Sequence, residues 1–331
     1  MAKWKRHIMF TASVFLGVNV YFACDSSSDS DDEAATSTSS VDASASCTTI
    51  QASVSNAGFS DDVTVTCDDN YAYLTSDTYP DHDLMNGITG TNEQIPVPAV
   101  DYGAPIKLSR SGTTNLNTMD SALGVAVNGV PIYDYSAAGD LDLDVYDETL
   151  DTYVLGQLDD CGGHAGRGDD YHYHASPSCM IANMENAGDD AILGWGYDGY
   201  PLYGNNNPDG SEIADGTLDT CNGQIDETFG FRYHTSVAAP YVFKCLRGTI
   251  DEDVLPRVAP MQGRTDGTPP QGGVTDLSHT VVNGTNRLEY TYSGEQYYLE
   301  YSASDTAGCY NFTTKTVTDG GVVKEGEYCR E

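Results

Sequence analysis

Apolar and polar positions along this 331-residue chain alternate in short runs, and apolar residues spaced every three to four positions are scarce. Residues 62–67, 124–128, 241–245 and 287–292 are rich in β-branched and aromatic side chains, the composition of strands. Gly, Asn, Asp and Pro separate such runs at intervals of about ten residues, which marks turns. The pattern predicts an all-β chain with little helix, a single short helix being expected over Met180–Ala187.

The first residues depart from this pattern. Lys3, Lys5 and Arg6 precede an apolar run from Ile8 to Ala23, as in an export signal, and the run is short for a membrane span of roughly 20 residues. Cys24 follows, then Ser- and Asp-rich sequence to residue 46 that cannot bury a core. Residues 1–23 therefore read as a signal peptide and 24–46 as a tether. Cys24 is the expected lipidation site of an exported bacterial lipoprotein, with cleavage and secretion as the alternative. Membrane contact is expected through that anchor only. Fifty acidic residues against fifteen basic ones, a net charge of −35, repel phosphates and exclude a nucleic-acid partner.

Nine cysteines less Cys24 leave eight, an even number suited to an oxidising compartment. They fall into near neighbours, so the expected bonds are Cys47–Cys67, Cys161–Cys179, Cys221–Cys245 and Cys309–Cys329. Cys-x-x-Cys is absent, which argues against a zinc ribbon or a thioredoxin-like centre.

The centre of the chain is duplicated. Gly124–Asp134 aligns with Gly194–Gly204, Leu158–Gly163 with Leu218–Gly223, Tyr171–His174 with Phe231–His234, and Cys179 with Cys245. The repeats span about 124–179 and 194–245, and two such units suggest a disulfide-stapled, sandwich-like core about a pseudo-two-fold axis. Residues 47–256 are read as one domain, 257–276 as a Pro/Gly linker and 277–331 as a small hairpin unit. Within the repeats His174 matches His234, whereas His172 faces Arg232 and His164 faces Gln224. Residues unique to one copy are the sharper functional candidates.

Candidate chemistry concentrates between Cys161 and Cys179. Successive strand side chains point to opposite faces, so His172 and His174 share one face and Tyr171 and Tyr173 the other. His164, on the preceding Gly-rich turn, adds a third imidazole. Neutral imidazoles are common metal ligands, and three nitrogens suit copper or zinc. His82 and His234 are additional candidate ligands. The competing reading makes these histidines structural, each hydrogen-bonded within an aromatic strand.

Tyr171-His172-Tyr173-His174, the upstream Leu158–His164 and the downstream Gly194–Gly204 together resemble the YHYH-domain family of bacterial secreted proteins. The resemblance covers roughly residues 60–250, extends to a Pro80-Asp81-His82 element before the core, and implies export without naming an activity.

Calcium is a second candidate ion. Asn205, Asn207, Asp209 and Glu212 space oxygen donors around Gly210 in an EF-hand-like order, without a glutamate at the twelfth position. Asp140, Asp142 and Asp144 also alternate. Asp198 beside tyrosines could join a general acid/base pair, but Asp198-Gly199, like Asn128-Gly129, has the signature of a type I′ hairpin turn. No Gly-x-Ser-x-Gly, His-Glu-x-x-His, P-loop or Gly-x-Gly-x-x-Gly occurs. The leading expectation is thus a metal-binding exported protein, with redox chemistry open to it. The alternatives are a surface adhesion module with a protein or glycan partner and an extracellular hydrolase.

Overall fold

The structure, a computed structural model, describes residues 43–330 apart from 91–92, 101, 111, 120, 138, 140, 166–169 and 257–269. The leader, Cys24 and Asp140 lie outside the described residues. Strands dominate, and the sheets curl into a half-barrel.

One departure from the sequence pattern comes first. Helix α1 (Ala43–Ala57) occupies the end of the expected tether and the start of the domain read as all-β from residue 47. Its buried stripe is Ser46, Ile50, Ser53, Val54 and Ala57, spaced as one helix face. Two of those five are serines, which hides the stripe from a hydrophobicity scan. Ser53 is satisfied there: its hydroxyl donates to Ile50 O (2.7 Å) and accepts from Trp195 Nε1 (3.0 Å). Helix α2 (Ser178–Asn183) falls close to the predicted one.

Strands β1 (Thr64–Cys67), β2 (Tyr71–Ser76) and β3 (Tyr102–Lys107) form an antiparallel sheet. Strand β4 (Gly112–Asn117) pairs later in the chain with β13 (Leu246–Gly248). Between them the duplicated halves supply β5 (Gly124–Ala126), β6 (Pro131–Ile132), β7 (Gly163–Ala165) and β8 (Tyr171–Tyr173), then β9 (Gly194–Gly196), β10 (Pro201–Tyr203), β11 (Gly223–Asp226) and β12 (Gly230–His234). Their spatial order, β11-β12-β10-β9-β5-β6-β8-β7, reads the same from either end once the halves are superposed. The halves therefore join edge to edge in one continuous sheet, not face to face as a sandwich. The joint is β5 against β9, antiparallel, with Val125 opposite Trp195 and Gly124 opposite Gly196. A Cβ on Gly124 would stand 2.4 Å from Trp195 O, so the close approach requires glycine there.

The turns at Asn128-Gly129 and Asp198-Gly199 also differ from expectation. Only the glycines have positive φ (81° and 88°), whereas a type I′ turn needs it at both central residues. Four residues separate β5 from β6, which removes the constraint. Asn128 and Asp198 instead point their side chains inward at Tyr173 and Tyr233.

The last 57 or so residues form an antiparallel meander, β14 (Thr275–Val282), β15 (Thr285–Tyr292), β16 (Glu295–Ala303), β17 (Cys309–Lys315) and β18 (Val323–Cys329), whose first strand begins inside the expected linker. It is seated on residues 79–98. Glu93, buried, accepts from Tyr290 Oη and from Val317 N (2.7 Å), and Arg330 Nε donates to Pro98 O (2.8 Å). Leu288, Leu299 and Tyr301 share one core with Leu74, Ile106 and Trp195.

Four disulfides, Cys47–Cys67, Cys161–Cys179, Cys221–Cys245 and Cys309–Cys329, span sequence separations of 18 to 24 residues. Loops of that size correspond to about 3 kcal/mol of stabilisation each in the chain-entropy account.

Candidate metal centre

Strands β7 and β8 pair antiparallel, with His164 directly opposite His172. His174 follows β8, and its N–H donates to Gly162 O (3.0 Å), which continues the ladder past the strand end. Alternation along β8 puts Asp170, His172 and His174 on one side, Tyr171 and Tyr173 on the other. Gly163 makes the pairing feasible, because a Cβ there would stand 2.6 Å from the Tyr171 ring.

The three imidazoles form a nearly equilateral triangle. Ring centroids are 4.8 Å apart for His164–His172, 4.9 Å for His164–His174 and 4.8 Å for His172–His174. One nitrogen from each lies within 4.8 Å of the others. His164 Nδ1 bonds Gln157 O (3.1 Å), and His174 Nδ1 bonds Asp134 O. A carbonyl can only accept, so each Nδ1 carries the proton and each Nε2 keeps a lone pair. This is the arrangement in which metal-ligating histidines are held by a backbone carbonyl behind them.

His172 differs. Its Nδ1 is buried without a hydrogen-bond partner, and the closest carboxylate, Asp170 Oδ2, is 3.8 Å away. The Tyr133 ring packs against it at 4.3 Å. Burial pushes the pKa of His164 and of His174 down to about 3, with repulsion from the neighbouring ring adding to it. Burial likewise holds His172 well below the usual imidazole range. All three are neutral at pH 7, the form that binds metal. The set fits a borderline ion: three neutral nitrogens, an orphaned buried nitrogen and a partly exposed rim at His164.

The other face of β8 is closed by hydrogen bonds. Tyr171 Oη donates to Asp159 (2.9 Å to Oδ2), which also accepts from Met85 N, Cys161 N and Gly163 N. Burial raises the Asp159 pKa to about 6. Tyr173 Oη meets Asn128 Nδ2 at 3.1 Å and His82 Nε2 at 2.8 Å.

His82 thus stands on the tyrosine face and groups with Cys161 and Cys179, not with the trio. The reason is alternation: it approaches β8 from the side to which Tyr171 and Tyr173 point. His234 is also apart. Its Nδ1 bonds Gly204 O (2.8 Å), as His174 bonds Asp134 O, but its Nε2 accepts from Gln224 Nε2 at 3.0 Å. The register of the second half repeats the first: Gln224 opposes Arg232 as His164 opposes His172, and Gly223 opposes Tyr233 as Gly163 opposes Tyr173. Arg232, 1% exposed, donates to Asp226 Oδ2 (2.5 Å) and Asn207 Oδ1 (2.7 Å). A fixed guanidinium occupies the second half where the first presents open imidazole lone pairs.

The loop proposed for calcium is turned to other uses. Asn205 Oδ1 accepts from Thr235 Oγ1, Asn207 Oδ1 from Gln224 and Arg232, and Asp209 Oδ1 from Ser211, while Glu212 is exposed. Asp142 Oδ1 caps Asp144 N (2.9 Å). Asp198 is fully buried between Tyr233 Oη (2.5 Å) and Gly248 N (2.8 Å), a structural position away from solvent.

Sequence reasoning missed Asp170 and Tyr133. Asp170 was readable, because it lies two residues before His172 on the same strand face. Tyr133 was readable only as the partner of Tyr203 in the repeat.

Residues 101–213 match the model of the YHYH protein family. The chain carries a YHYH domain. The match runs from the start of β3 to the loop after β10, so it takes in the whole histidine triangle and leaves β11 and β12 outside. It is narrower than the resemblance read from the motifs. No curated protein and no solved structure matches the chain. Among the described residues no helix is long and apolar enough to cross a membrane.

Proposed function

We propose that the YHYH domain is an exported metal-binding module in which His164, His172 and His174 hold one copper or zinc ion. The observation that carries this reading is the triangle of neutral imidazoles, two of which spend Nδ1 on a main-chain carbonyl and leave Nε2 to converge. The second half supports it by contrast, since the equivalent lone pair on His234 is capped by Gln224 and a guanidinium supplies the local cation. Three protein ligands leave a fourth position for water or a substrate, so metal-assisted or redox chemistry is open to the site. Four disulfides agree with export, and attachment through a lipid on Cys24 is part of the proposal.

The alternative is an adhesion module whose histidines are structural. Main-chain bonds from His164 and His174 favour it, and the orphaned His172 Nδ1 speaks against it. Elemental analysis of purified protein tests the two. One copper or zinc per chain is expected, lost on His172→Ala with the disulfides and circular dichroism intact, and retained in His82→Ala and His234→Ala. Unchanged metal content in His172→Ala, or none in the parent after loading, overturns the proposal.

A further inference from the structure

A second convergent group lies beside the strand pair, on the side of β8 to which the tyrosines point. His82, Cys161 and Cys179 each place one donor atom within 4.8 Å of the others. With the bond between Cys161 and Cys179 closed, the sulfurs are not ligands. Nothing in disulfide geometry, however, calls for an imidazole beside them, and His82 is 79 positions away in sequence from the nearer cysteine.

We propose that His82, Cys161 and Cys179 form a thiolate–imidazole metal site that becomes available when this disulfide is reduced. The step balances with either reductant: two thiols supply two electrons and two protons and leave as their disulfide, or a phosphine supplies two electrons and leaves as its oxide while water provides the oxygen and both protons, and the S–S bond becomes two thiols. Those protons leave as the sulfurs bind the ion. Two thiolates and one imidazole select zinc, or a softer ion such as copper(I), more strongly than three imidazoles do.

The donor atoms are held near one another without the disulfide. Met85 N donates to Asp159 Oδ2 (2.8 Å), Asp160 N to Asn86 O (3.0 Å) and Asn183 Nδ2 to Asp81 O (3.2 Å). These bonds clamp residues 81–86 to the Cys161 turn and to α2, which carries Cys179. Cys161 N is held by Asp159 Oδ1 (2.9 Å), and Ser178 Oγ donates to Asp160 O (3.1 Å). Opening the S–S bond leaves all five in place. His82 and Cys179 are partly exposed, so reductant and ion can reach them. His82 Nε2 would give up Tyr173 Oη, which keeps Asn128 as a partner. The segment between the two cysteines carries His164, His172 and His174, so reduction loosens one candidate site as it creates the other. One ion could thus pass between the two faces of β8 according to the redox state.

The proposal stands apart from the imidazole triangle and is tested with that triangle removed. Full-length protein bearing His164→Ala and His172→Ala is reduced with a phosphine and titrated with Co²⁺. One Co²⁺ per chain with thiolate-to-metal charge-transfer absorption is expected. Adding Cys161→Ser and Cys179→Ser should abolish the band, and adding His82→Ala should weaken binding at least tenfold. Zn²⁺ should also make this bond alone open at lower phosphine concentration, read by mapping alkylated cysteines. No band in the reduced protein, the same band without Cys161 and Cys179, full affinity without His82, or loss of the fold when this bond opens would each overturn it.

Discussion

Acid should destabilise the metal-free protein through its histidine triangle, and the size of the effect can be worked out. His164 and His174 have folded pKa values near 3, against about 6.5 for an unfolded histidine. A depressed histidine pKa means that the unfolded chain takes up the proton first. Stability is therefore complete above about pH 6.5 and is lost as pH falls toward 3. Between pH 7 and 5 the folded rings stay neutral, so the loss is set by the unfolded pKa and is insensitive to the depth of the shift. Linkage gives about 2 kcal/mol for each histidine over that interval. The double variant His164→Gln/His174→Gln keeps polar side chains that do not titrate. Urea unfolding of both proteins, in chelator, at pH 7 and pH 5 should show the parent losing about 4 kcal/mol more than the variant. Asp159 works in the opposite sense, its raised pKa near 6 costing stability as pH rises, but it is present in both proteins and cancels. Equal pH dependence in the two would show that the rings are solvated or already charged, and the neutral-ligand argument would fail.

The two halves make a gain-of-site prediction. Gln224→His with Arg232→His should raise bound zinc from one ion per chain to two, by restoring three imidazoles on the repeated register; one ion would mean that the second half cannot adopt the first half's geometry. Asp170→Asn should weaken zinc binding in a competition assay, because the buried carboxylate 3.8 Å from His172 Nδ1 places negative charge beside the cation; unchanged affinity would remove Asp170 from the site. Tyr171→Phe should cost about 1–3 kcal/mol in urea unfolding by leaving buried Asp159 short of a donor, and a loss below about 0.5 kcal/mol would show the carboxylate satisfied without it.

Local pattern was enough for several features. Period-two alternation and turn spacing carry the all-β class, and self-similarity carries the duplication, because both are written in neighbouring residues. The shared face of His172 and His174 follows from the same alternation. Three things needed the folded chain. Helix α1 was hidden because two of its buried positions, 46 and 53, are serines, and the hydroxyl of Ser53 is satisfied by Trp195, 142 residues away. The sides taken by His82 and His234 depend on which face of β8 a distant loop approaches and on whether Gln224 reaches an imidazole nitrogen first. The edge-to-edge joint of the halves rests on a glycine contact across β5 and β9. Such outcomes belong to contacts between segments far apart in sequence, which no local periodicity encodes, whereas a strand's own alternation is carried by every residue within it.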